Sequence, residues 1–193
     1  MKIQVHNLCK QYDGVPVLEN VSFTAGNGVT CVMAPSGTGK TTLLRILLGL
    51  ETADSGTVRL PANCRWAAVF QEDRLLEQLD AMGNLRFVLG KGFREAAAAA
   101  LLAELGLGDV GGKPVRDFSG GMKRRLALAR ALLAPSDILV LDEPFTGLDG
   151  ENRARALACV RRAAAEKPVL LVTHDGGEEP EPRDGSVTLL ACT

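Results

Sequence analysis

The sequence is poor in the residues that build metal centres, disulfide frameworks and membrane spans. It has two histidines, His6 and His174, and one tryptophan and one tyrosine among 193 residues. Its five cysteines, Cys9, Cys31, Cys64, Cys159 and Cys192, are odd in number and scattered, with no C-x-x-C pair. That pattern predicts reduced thiols, not a disulfide framework or a clustered metal site. No uncharged apolar run approaches the roughly 18 residues that a membrane-spanning helix needs, and positions 1–6 show no apolar signal core. The formal net charge is −1, so the basic field of a nucleic-acid binder is missing too. The expectation is a chain that forms no membrane path itself and takes no nucleic acid as partner.

What is present suits a globular protein: 46% hydrophobic and 23% charged residues over a length that can bury one core. A single domain over 1–193 is expected. Short apolar runs at 29–33, 66–70, 138–141 and 168–173 read as buried strands. Further strands are expected at 2–8, 17–24, 57–60 and 186–191, with Asp13-Gly14 as a turn between the first two. Helical patterns cover 43–50, 75–89, 93–107, 119–134 and 149–166. Strands alternating with helices predict an α/β fold with a mostly parallel sheet and an antiparallel β region near the N-terminus. Into it a helical lobe of about 71–134 is inserted, its first part roughly 71–116. The acidic stretch 176–185, with Pro180 and Pro182, reads as a loop.

Three motifs carry chemistry. Gly37-Thr38-Gly39-Lys40-Thr41-Thr42 lies between a predicted strand and a predicted helix. A phosphate cradle needs inward-pointing backbone N–H groups at a helix N-terminus, and glycine allows close approach. In such a P-loop, Lys40 reaches the β- and γ-phosphates and the Thr41 hydroxyl ligates Mg²⁺. The first loop position is Ala34 instead of glycine. Leu141-Asp142-Glu143-Pro144 ends an apolar run, and strand ends are where α/β sheets present ligands. Asp142 suits the Mg²⁺ shell and Glu143 suits an attacking water. Phe118-Ser119-Gly120-Gly121-Met122 combines an N-cap serine with open backbone N–H groups, a second anion site.

In this order and combination the chain resembles the ATP-binding cassette family over nearly its whole length. The family sequence of aromatic, Walker A, glutamine loop, L-S-G-G-Q signature, Walker B, D-loop and switch histidine corresponds here to Tyr12, 34–42, Gln71, 118–122, 138–143, 147–149 and His174. The Asp54-Ser55-Gly56 turn matches as well. The resemblance implies a P-loop NTPase fold and hydrolysis of ATP with Mg²⁺. It implies that Tyr12, Ser36, Gly37, Thr38, Gly39, Lys40, Thr41 and Thr42 bind the nucleotide. Thr41, Gln71 and Asp142 are then the metal set, and Glu143, His174 and Gln71 the catalytic set. Two copies, or a copy and a homologous subunit, pack head to tail so that Ser119, Gly120 and Gly121 of one face the ATP of the other, with Asp149 touching the opposite copy. The implied role is to power a separate membrane permease from the cytoplasmic face, with a substrate-binding protein as a further candidate partner.

The stretch 71–76 is similar to that of nitrate, taurine and sulfonate importers, and Leu75 and Leu76 are the expected permease contact. Phe118 and Met122 depart from the signature's flanks, and the region beyond His174 is expected to be short. A cassette ATPase uncoupled from transport, acting on DNA or ribosomes, is the alternative; it usually carries tandem cassettes, long coiled coils or zinc modules. A P-loop kinase has no use for Ser119-Gly120-Gly121.

Overall fold

The computed structural model describes residues 2–33 and 37–173 and the backbone of Ser186–Thr188. Strands β1 (Ile3–Tyr12) and β2 (Val15–Ala25) form an antiparallel hairpin. Asp13 and Gly14 both take positive φ, 51° and 79°, as a two-residue type I′ turn requires. Both strands run up to that turn, so they are longer than expected and carry Tyr12 to the hairpin tip. The strand β4 (Ser55–Arg59) pairs antiparallel with the other edge of β1.

The second sheet is parallel throughout, in the order β5 (Trp66–Val69), β6 (Ile138–Asp142), β7 (Pro168–Thr173), β3 (Gly28–Met33), β8 (Ser186–Thr188). Every residue of β6 and β7 is buried. Their side chains alternate between two cores, as the period-2 pleat demands. Leu139, Leu141, Val169 and Leu171 pack with the helical side, while Ile138, Val140, Leu170 and Val172 pack against the first helix and the antiparallel sheet. A strand covered on both faces reads as a near-continuous apolar run, broken here only at the strand ends by Asp142 and Thr173, and each large aliphatic side chain so buried contributes about 2 kcal/mol.

Among the described residues there are five α-helices: α1 (Lys40–Leu47), α2 (Ala81–Leu89), α3 (Glu95–Glu104), α4 (Gly120–Leu133) and α5 (Gly150–Ala164). The Ser119 cap read from sequence is in place, its Oγ accepting from Met122 N, and Asp149, expected inside its helix, caps α5 instead, its Oδ1 accepting from Asn152 N. The helix expected over 43–50 is found three residues earlier, at Lys40–Leu47, and two later boundaries also differ from expectation. The helix expected over 75–89 begins only at Ala81, because Asp80 caps it by accepting from Gly83 N at 2.6 Å. The chain before it is tied elsewhere: Val115 N donates to Leu79 O, Arg116 N to Glu77 O, and the Asn84 amide bonds Leu76 on both sides. The helix expected over 93–107 ends at Glu104, where Gly106 N donates to Ala103 O and Leu107 N to Leu102 O, a Schellman closure. Residues 174–185, which include His174 and the predicted loop, and Ala34, Pro35 and Ser36 lie outside the described residues.

Candidate nucleotide site

After β3 the described chain resumes at Gly37, and α1 starts at Lys40. Gly39 holds the N-cap of α1 at φ 84°, and a Cβ there would sit 2.6 Å from the Val17 carbonyl oxygen. Only glycine fits both the conformation and the space. This packing against β2 sets the direction of α1, whose first residue, Lys40, is buried although charged. Gly37 and Thr41 are exposed, and Thr38 and Thr42 half-buried, in the same turn. The described part of the phosphate loop therefore opens on one side while its lysine is held against the fold.

One cavity of about 300 Å³ gathers residues from three distant parts of the sequence: Thr41 from α1, Gln71 after β5 and Asp142 at the end of β6, with Phe70 and Arg74 in its wall. A hydroxyl, a side-chain amide and a carboxylate are all hard oxygen ligands, the donor chemistry that Mg²⁺ selects. Asp142 is 2% exposed, so its carboxylate has been carried out of bulk water to the point where the loop and strand meet. Beside it, Glu143 takes φ 50°, a left-handed conformation that costs a non-glycine residue on the order of 1–3 kcal/mol. Its N–H donates to Val172 O, and Gln71 Nε2 donates to its Oε1 at 3.3 Å. The structure thus brings Thr41, Gln71, Asp142 and Glu143 together.

Tyr12 stands at the hairpin tip, 41% exposed. Lys10 Nζ lies 5.2 Å from its ring centroid, and Lys10 also pairs with Glu51 and Asp54, each at 3.2 Å. The Asp54 carboxylate holds the Lys10 ammonium above its usual pKa range; Asp54 is held low by Gln11 N–H and then by Lys10. One face of the ring is therefore oriented by a cation. Lys10 is a supporting residue that sequence reasoning missed, for a lone strand lysine carries no signal of its partners.

Ser119 and Gly120 are exposed at the start of α4 and are not among the residues lining the cavity. A Cβ on Gly121 would approach the Gly147 carbonyl oxygen to 3.2 Å, so the signature turn packs on the loop that precedes Asp149. The Asp149 carboxylate is committed within the chain: Asn152 N and Nδ2 donate to it and hold its pKa low. Met122 packs half-buried against the core where the signature's glutamine is expected. Leu75 packs against the same core, which weakens it as a permease contact; the exposed apolar side chains of this region are Phe87 and Val88 on α2. Arg124 on α4, absent from the sequence reading, bonds the backbone around Gln71 and Glu143. Its partners lie 18 to 54 residues away, so no local pattern announces it.

A phosphate-loop helix joined to a carboxylate-bearing strand end in a parallel sheet defines a nucleotide-binding protein of the P-loop class. The chain belongs to the ABC transporter family, whose pattern matches residues 18–146. Within that family it is an ATP-binding subunit, of the ATPase class. It is 39% identical over 180 residues to the aliphatic sulfonates import ATP-binding protein SsuB 2 of Burkholderia lata, covering 86% of this chain and 64% of that protein. It is 36% identical over 191 residues to the taurine import ATP-binding protein TauB of Pseudomonas fluorescens, covering 90% and 72%. The chain thus spans about two thirds of the length of these relatives. A solved structure of an ATP-binding subunit of an ABC transporter superposes with a TM-score of 0.85 at 24% identity, over 98% of this chain and 86% of that one, and shows the same fold.

Proposed function

We propose that this chain hydrolyses MgATP in a head-to-tail dimer and thereby powers a separate membrane permease. The observation that carries the reading is the single cavity shared by Thr41, Gln71 and Asp142, with Glu143 hydrogen-bonded to Gln71 beside it. Hydrolysis of a phosphoanhydride needs positioned phosphates, a neutralised charge and an oriented water. Lys40 and the backbone of 37–42 bind the phosphates; Thr41, Gln71 and Asp142 hold Mg²⁺, which neutralises charge on the phosphate oxygens when bound. Glu143 orients the attacking water and accepts its proton, and His174 contacts the γ-phosphate or Glu143. Tyr12 stacks on the adenine with the face that Lys10 leaves open. The whole chain, 1–193, acts as one cassette, with the helical lobe of about 71–134 as the element that meets the permease.

The relatives' names supply the cargo class, a small organic sulfonate such as taurine. A substrate-binding protein and a permease complete the system, with this chain held at the cytoplasmic side of the membrane by the permease. Among the described residues no helix is long and apolar enough to cross a membrane.

The second copy follows from Ser119 and Gly120, which are exposed and stand apart from the cavity of their own chain. A second chain turned head to tail gives them a γ-phosphate to bind. Glu143→Gln protein is therefore expected to sediment as a monomer without nucleotide and as a dimer with MgATP. Adding Ser119→Arg is expected to abolish that shift while ATP still binds. Sedimentation unaffected by ATP in both proteins would exclude the sandwich for this subunit.

A further inference from the structure

The geometry points to Arg124 as a positioning residue for hydrolysis, one that locks the Gln71 segment and the Asp142–Glu143 strand end into a single frame with the signature helix. Arg124 lies in the second turn of α4 and is 5% exposed. Its guanidinium uses every nitrogen. Nη1 donates to the carbonyls of Phe70 and Gln71 and to Asp73 Oδ1, the last at 3.1 Å. Nη2 donates to the carbonyls of Asp142 and Glu143 at 2.6 and 2.7 Å, and Nε adds a bond to Glu143 O at 3.2 Å. Asp73 is the one charged partner in this set; the rest are main-chain oxygens.

Those oxygens belong to the residues whose placement hydrolysis needs. Two N–H groups on the Glu143 carbonyl hold the peptide plane that follows Glu143, and with it the left-handed backbone that aims its side chain. The bonds to the Phe70 and Gln71 carbonyls hold the other end of the Gln71–Glu143 hydrogen bond. A planar fork with fixed donor directions can serve two chain segments at once, which one ammonium nitrogen cannot. Removing it leaves buried carbonyls short of a partner, and the strained turn at Glu143 loses what over-determines it. Because the same residue sits a turn and a half after Ser119, it also ties the cavity of its own chain rigidly to the turn offered to the other copy.

This inference rests on Glu143 and Gln71 serving hydrolysis, and Glu143→Gln tests that separately. The experiment measures kcat, KM and calorimetric MgATP binding for Arg124→Met and Arg124→Lys, each also combined with Glu143→Gln. Arg124→Met is expected to lower kcat about 10- to 100-fold, the scale of a misplaced catalytic group. One nucleotide site per chain and a Kd within about threefold of the parent are expected to remain. Arg124→Lys keeps the charge beside Asp73 but loses the fork, and is expected to stay at least about tenfold down in kcat. In the Glu143→Gln background neither substitution is expected to cost more than about twofold further, since the effect runs through Glu143.

A folded Arg124 variant turning over within about threefold of the parent would overturn the inference. So would loss of turnover matched by loss of nucleotide sites, or a loss that multiplies with Glu143→Gln. If the Met variant does not fold, the Lys variant carries the test; if neither folds, Arg124 is a strut and the inference fails. Near-normal turnover of Glu143→Gln alone would instead remove the hydrolytic reading beneath it.

Discussion

Glu143→Gln is expected to reduce ATP turnover at least about 100-fold, the scale of losing a general base, while MgATP binding by calorimetry is unchanged. The substitution is nearly isosteric. The φ of 50°, the Glu143 N–H bond to Val172 and the Arg124 bonds to the Glu143 carbonyl all involve the main chain and survive it. The contact with Gln71 Nε2 at 3.3 Å is also open to a glutamine carbonyl. What disappears is the basic carboxylate. Binding should persist because Lys40, Thr41 and Asp142 are untouched. Stopped turnover with intact binding therefore assigns the chemistry to the carboxylate. Turnover near that of the parent would take Glu143 out of the reaction.

Lys40→Ala is expected to weaken MgATP binding about 10- to 100-fold, the worth of one to two charge-assisted hydrogen bonds to phosphate. The lysine opens α1 directly after the Gly39 cap, 6% exposed, and no other lysine lies within the 37–42 loop. Its stem is packed, so the ammonium is delivered to one place instead of sampling solvent. Alanine is a good helix former at the start of α1, so the loss should fall on the ligand and spare the fold. Calorimetry with MgATP, checked by a thermal melt, separates the two. Unchanged affinity would mean that this loop is not where the phosphates sit.

The parts of this architecture that were legible in the sequence are those with local causes. The Asp13-Gly14 turn, the Ser119 cap and the apolar runs of β6 and β7 each announce themselves within a few residues. The late start of α2 was set by distant partners, whereas α3 was ended locally by the Schellman closure at Gly106 and Leu107. Leu75, Leu76 and Leu79 have helical spacing, but the backbone at Leu79 is bonded to Val115, and Asn84 holds Leu76, so no helix forms before Ala81. The site divides the same way. Thr41, Gln71, Asp142 and Glu143 could be chosen from motif and order, and the fold brings them together. The residues that aim them, Lys10 beneath Tyr12 and Arg124 behind Glu143, were invisible because their meaning lies entirely in tertiary contacts. Met122, where the signature expects glutamine, packs half-buried against the core, a tertiary role that the motif does not announce.

The reaction proposed for the cavity joining Thr41, Gln71 and Asp142, with Glu143 beside it, is ATP hydrolysis with a bound divalent cation. Phosphate release by the purified chain tests it most directly, measured with ATP in Mg²⁺, in EDTA, and for Glu143→Gln in parallel. Steady release is expected in Mg²⁺, with a loss of at least about 100-fold both in EDTA and in the variant. Release that continues in EDTA, or that is equal in the parent and Glu143→Gln, would contradict it.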